Sequence, residues 1–174
     1  MALLLRQELE PVFLHPSHGF RMARGTKTFF QDIFNWPEMD YLIQCDVVKC
    51  FDRIRHDLLL PLLRECFGPE NEDFIKLIHA FLTTDIYDKY KKNKNYACLE
   101  VGISPISPVL MNVFLHQLDL RMAGKNIGML DPEGQYLQHV RIYYERYAED
   151  MLFGVARIKM YCWVQHSPLV VRFF

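Results

Sequence analysis

The sequence predicts an α+β fold, a small and mostly antiparallel sheet covered by helices. Three observations carry that prediction. Helical segments interleave with only a few strands instead of following a regular β-α-β-α succession. The apolar run of residues 40–48, DYLIQCDVV, has the length and composition of a strand. Two more apolar runs, residues 140–147 and 151–156, flank a tight acidic turn and read as a β-hairpin.

Composition sets the bounds. A chain of 174 residues suits one domain or a piece of a larger one. Hydrophobic residues at 51% and charged residues at 24% exclude wholesale disorder. A net charge of -1 and a pI near 6.6 are a poor balance for holding long RNA by its phosphates. The basic run Lys89, Lys91, Lys92 and Lys94 reads as a solvated loop. The five cysteines form no C-x-x-C pair and have no histidine at zinc-finger spacing, so they read as reduced thiols, with Cys45 and Cys66 expected in the core. No apolar run reaches the length of a membrane span. The apolar start, MALLLRQELEP, lacks a preceding basic segment and a small-residue cleavage site, which leaves the cytosol or synthesis inside an organelle.

Taken in order, residues 2–10 form a short amphipathic helix that Pro11 ends. Residues 11–25, with Pro16, Gly19 and Gly25, are a loop-rich lead-in. Thr26 is expected to cap a helix over residues 27–35, stopped before Pro37. The strand 40–48 is apolar on both faces, which points to a covered sheet, and Asp46 interrupts it. Residues 56–67 read as a helix turning Leu58, Leu59, Leu62, Leu63 and Cys66 to the core, with Pro61 acceptable only in its first turn. Residues 71–83 give another, with Phe74, Leu77, Ile78, Phe81 and Leu82 at helical spacing. Residues 95–103 read as a strand and 107–122 as a helix, ahead of the hairpin. After residue 156 the period is lost, so residues 1–156 are taken as the domain and 157–174 as a divergent tail.

Two acidic loci carry the candidate chemistry. Asp46 sits near the end of an apolar strand, where burial is expensive unless the carboxylate is paired or binds a metal. Glu149 and Asp150 occupy the hairpin tip, which is either an ordinary turn or a metal site. Brought side by side, the three carboxylates suit magnesium, which takes oxygen ligands, and nucleotidyl transfer, which uses two Mg²⁺ ions roughly 4 Å apart.

Four blocks in order resemble the reverse-transcriptase domain of group II intron proteins of the organellar maturase type. They are SHGFRMARGT at 17–26, DVVKCFDRIRHD at 46–57, GISPISPVLMNVFLHQLD at 102–119 and RYAED at 146–150. The resemblance implies the fingers and palm of a right-hand polymerase, without a thumb, acting as an RNA-directed DNA polymerase. It implies Asp46 as first metal ligand, the Val47 carbonyl as another, and Glu149 and Asp150 as the second acidic locus around two Mg²⁺. Phe51 would lie under the sugar and exclude a 2′-hydroxyl, while Arg21 and Arg24 would grip template or triphosphate. The implied partners are group II intron RNA or another RNA template, a DNA primer and dNTP, with no membrane. The implied setting is a mitochondrion, plant-like in character.

Three features depart from that pattern. Glu149 stands where the family has Asp, and one added methylene moves a carboxylate by about 1.5 Å. Gly102-Ile103 runs straight into Ser104-Pro105, without the family's Pro-Gln-Gly. The hairpin is followed by neither thumb nor basic maturase segment in these 174 residues, unless one is supplied in trans. Two readings stand beside impaired polymerisation: a non-catalytic splicing factor that binds intron RNA, with Arg21, Arg24 and Lys27, and a residual reading-frame product without activity.

Overall fold

Apolar spacing and backbone chemistry account for most of the elements. The computed structural model describes residues 2–83, 105–122, 126–130 and 136–157. Helix α1 spans Ala2–Leu9 and passes into a 3₁₀ turn, Glu10–Val12, where Pro11 sits at the turn start, the one place its missing N–H does no harm. Helix α2, Thr26–Phe34, follows the lead-in. Strand β1 is Tyr41–Cys45, α3 is Cys50–Arg53, α4 is His56–Phe67, and α5 is Glu72–Leu82. Helix α6 is Ser107–Met122, and strands β2, β3 and β4 are Asn126–Leu130, Tyr136–Tyr147 and Asp150–Arg157. The described strands form one antiparallel sheet in the order β1-β4-β3-β2.

Several expectations are corrected. The cap of α2 is Gly25, not Thr26: the Thr28 hydroxyl donates to the Gly25 carbonyl (2.9 Å) and accepts its N–H (3.0 Å). Strand β1 stops at Cys45 and lies at the edge of the sheet among the described residues, with Leu42 61% exposed, so its apolar faces do not mean a covered strand there. Helix α4 runs through Pro61 well beyond its first turn. Leu59 and Leu63 are buried in it, Leu62 and Cys66 partly so, and Leu58 is exposed. In α5 the buried residues are Ile75 and Ile78, while Leu77 and Phe81 are exposed. Among the described residues Cys50 is the buried cysteine, while Cys45 and Cys66 are half-buried. The expected strand at 95–103, the lysine run and the tail beyond Arg157 lie outside the described residues.

The core is built where α1, α4, α5 and α6 meet. Leu5, Leu9, Leu59, Leu63, Ile75, Ile78, Leu110 and Met111 are almost wholly removed from water. Burying a side chain of this size contributes roughly 1.5–3 kcal/mol. Helix α6 is apolar nearly all round, as befits a central helix, but along one buried line it carries Asn112, His116 and Asp119, spaced i, i+4, i+7. That polar line faces the hairpin.

Candidate active site

The hairpin β3–β4 closes on the pair Tyr147↔Asp150, leaving Ala148 and Glu149 as a two-residue turn. Ala148 has φ 57°, and Glu149 is not in the positive-φ region. That is the signature of a type II′ turn, whose first central position favours glycine. An alanine there costs about 1–2 kcal/mol, which the surroundings must hold in place.

Arg146 does so. It is fully buried, and all five of its guanidinium N–H groups have partners. Nε donates to Asp119 Oδ1 (2.9 Å) and Nη2 to Asp119 Oδ2 (2.6 Å), the planar fork that suits a carboxylate. Nη2 also donates to Ser17 Oγ (2.8 Å), and Nη1 to Asn112 Oδ1 and to the Ala148 carbonyl, both at 2.8 Å. The Tyr144 hydroxyl adds a donor to Asp119 Oδ1 (2.9 Å). Burial first, then the Asp119 charge, holds that phenol well above its usual range, so it stays a donor.

The lead-in segment locks the same turn from the other side. The Arg146 N–H donates to the Pro16 carbonyl (2.7 Å), and the His18 N–H donates to the Arg146 carbonyl (2.8 Å). Gly19 packs so closely on Ala148 that a Cβ at Gly19 would run into the Ala148 backbone. Its carbonyl accepts from Asn112 Nδ2 at 2.8 Å. A glycine is required there for close approach, not for a turn.

The acids then follow from register. The β1–β4 register ends at Cys45↔Met151, so Asp46 follows the last paired residue of β1 and Asp150 opens β4 just before that partner. Asp46 is exposed, just past the strand end rather than within it; Glu149 is half-buried and Asp150 exposed. None of the three makes an ion pair among the described residues. The buried Cys50 thiol is pushed up to about 11, by burial first and then by Glu149 and, after Arg146 acting in the opposite sense, Asp46. Residues 46 and 149 thus both act on the same thiol, but Asp46, Glu149 and Asp150 are not among the described groups of three or more side chains whose ligand atoms lie within 4.8 Å of one another.

The remaining expected residues divide. The Val47 carbonyl accepts the Cys50 N–H (3.1 Å) and keeps one lone pair. Phe51 is buried in the core cluster. Arg21 is committed inside the chain: it donates to Glu10 Oε1 (2.7 and 3.0 Å) and to the Leu14 and Ser17 carbonyls (2.6 and 2.9 Å), and stacks on Phe13 at 5.5 Å. That is a structural role, so the phosphate grip expected of it has no free donor fork. Arg24 gives one bond, to the His15 carbonyl (2.7 Å), at the surface. Arg146, Asp119 and Asn112 were not foreseen; the polar line on α6 was the available signal.

Comparison with known proteins gives the chain a family. The family described as reverse transcriptase (RNA-dependent DNA polymerase) matches residues 1–171. A 91 kDa protein in the cob intron of Schizosaccharomyces pombe is 33% identical over 120 residues, 68% of this chain and 14% of that protein. The COX1/OXI3 intron 2 protein of Saccharomyces cerevisiae is 32% identical over 129 residues, 72% of this chain and 14% of that protein. The group II intron-encoded protein LtrA of Lactococcus lactis subsp. cremoris is 30% identical over 118 residues, 67% of this chain and 19% of that protein. The chain therefore spans less than a fifth of the length of these relatives. It belongs to the reverse-transcriptase family, with intron-encoded proteins as its relatives.

Proposed function

We propose that this chain is the fingers-and-palm part of an RNA-directed DNA polymerase encoded in a group II intron. The observation that supports the reading is the β1–β4 pairing, which ends at Cys45↔Met151 with Asp46 next along the chain after Cys45 and Asp150 just before Met151, beside a hairpin held by Arg146. Two Mg²⁺ ions would supply charge neutralisation for an in-line attack of a primer 3′-oxygen on a dNTP. The protein's own part is positioning: Asp46, the Val47 carbonyl, Glu149 and Asp150 hold the metals, and the buried Phe51 ring sets the floor beneath the sugar. Arg24, at the surface, faces template or triphosphate. The Glu149 methylene, with its displacement of about 1 Å or more, lowers turnover on the order of a hundredfold against an aspartate there. The cob and COX1 intron relatives favour a mitochondrial setting.

Primer extension on an RNA template tests this. Slow incorporation that Glu149→Asp raises and Asp46→Asn abolishes is expected. A folded chain with no Asp46-dependent incorporation, with or without Glu149→Asp, sinks the polymerase reading.

A second reading, intron RNA binding in splicing, is favoured by one observation. Exposed Phe20, Phe30 and Phe34 share the lead-in and α2 with Arg24 and the exposed Lys27, a combination of stacking surfaces and charge that suits single-stranded RNA. Filter binding to intron RNA across a salt series discriminates, because phosphate contacts weaken steeply with salt.

A further inference from the structure

On the face of the hairpin opposite the acidic turn, His15, His18, Asp32 and Glu145 converge from the lead-in, α2 and β3. One ligand atom each from His15, Asp32 and Glu145 lies within 4.8 Å of the others. His15 Nδ1 is 3.5 Å and His18 Nε2 3.4 Å from Asp32 Oδ2, and His18 Nε2 is 2.9 Å from Glu145 Oε2. A tetrahedral ion bound at about 2.0–2.1 Å has ligand–ligand edges of roughly 3.3 Å, so the first two separations already match and the third needs a few tenths of an ångström.

Three observations ask for a cation at this point. Glu145 is only 6% exposed, and its neighbour Arg146 has no donor left for it. Two carboxylates converge on one imidazole nitrogen of a wholly buried histidine. His18 Nδ1 lies 2.9 Å from Thr28 Oγ1, a hydrogen-bond contact that fixes the orientation of the ring. Nε2, the other ring nitrogen, faces both carboxylates, the orientation of a metal-ligating histidine held by its second nitrogen.

We propose that His15, His18, Asp32 and Glu145 bind one divalent ion of the zinc class, a structural site separate from the acidic turn. Two neutral imidazoles and two carboxylates cancel the charge of such an ion, and mixed nitrogen and oxygen ligands favour zinc, cobalt or nickel over magnesium. The ion would staple the lead-in and α2 to the strand that feeds the acidic turn. The site needs no polymerase activity.

The full chain carrying Asp46→Asn and Asp150→Asn removes the acidic turn as a competing metal site. Titration of this variant with Zn²⁺ is expected to give one saturable equivalent and a thermal midpoint raised by about 5–10 °C at hundredfold excess over Kd. Adding His15→Ala, at a residue whose side chain is 67% exposed and whose loss spares the core, is expected to weaken binding at least tenfold, and Asp32→Asn likewise. Co²⁺ in the same site should show the visible bands of a tetrahedral ion. No saturable equivalent, or binding that both added substitutions leave unchanged, overturns the proposal. In that outcome the His18–Glu145 hydrogen bond alone joins the two segments, and the polymerase reading is untouched.

Discussion

Arg146 and Asp119 form a wholly buried ion pair that joins the hairpin to helix α6 through two hydrogen bonds of 2.9 and 2.6 Å. The same guanidinium holds the Ala148 carbonyl, so the pair sets where Glu149 and Asp150 stand. Positive φ at Ala148 would relax without it.

Arg146→Met is therefore expected to destabilise the chain by about 3–5 kcal/mol, because Asp119 is left buried and unpaired. Arg146→Lys keeps the charge but loses the fork and should recover only part of the loss. Urea denaturation followed by circular dichroism measures both. A cost below about 1 kcal/mol for Arg146→Met would contradict the burial of this pair.

Gly19→Ala tests the contact on which the turn rests. A methyl there meets the backbone of Ala148, which cannot swing aside as a side chain would. Overpacking of this kind costs about 1–3 kcal/mol. If the turn moves to make room, weaker Mg²⁺ binding should accompany the loss, readable by calorimetry. Gly25→Ala, where nothing stands within 4 Å of the added carbon, is the control.

His116 gives a pH dependence. Burial, outweighing the opposing pull of Asp119, lowers its pKa below 6.5, while Arg146 and Arg21 push the same way as burial. The neutral ring is the folded form, and its Nδ1 has no partner among the described residues. The unfolded chain then binds more protons than the folded one below pH 6.5, so this contribution is complete above that pH and is lost as the pH falls toward the folded value. The slope is at most about 1.4 kcal/mol per pH unit. His116→Leu should flatten the decline of urea stability between pH 6.5 and 5; an unchanged slope would show that the ring does not titrate there.

Much of this fold was legible because local chemistry decided it. Helix α4 appears at the expected residues, 56–67, and α6 at 107–122, since both are rich in helix formers, α4 with an apolar stripe and α6 apolar nearly all round. The hairpin was readable from two apolar runs about an acidic pair. The environment of β1 was not: a short apolar run is the same in a covered strand and at an edge, and only pairing partners decide. Arg21 and Arg146 look alike as isolated basic residues. Their burial depends on Glu10 and Asp119, which no spacing rule links to them. Strands β1 and β4, whose pairing ends beside Asp46 and Asp150, lie more than a hundred residues apart, and their pairing could be approached in the sequence only through a resemblance between blocks.

Cys50 reports on the acids without any assay of turnover. Its thiol is held at about 11, so at pH 8.5 its thiolate population is roughly a hundredfold below that of an ordinary cysteine near 9. Alkylation of Cys50 in the folded chain should be slower by at least that factor than in urea, and its rate should keep rising to about pH 11. Burial is the first cause, so removing charge restores only part of the reactivity. Asp46→Asn with Glu149→Gln should shift the pH profile down while leaving it above the unfolded value, and Arg146→Lys, which keeps a positive charge near the thiol, should shift it less. Mass spectrometry of iodoacetamide-labelled peptides separates Cys50 from Cys45 and Cys66. A profile that ignores the Asp46 and Glu149 substitutions would mean that their carboxylates do not crowd this thiol, and the geometry argued for the acidic turn would fail with it.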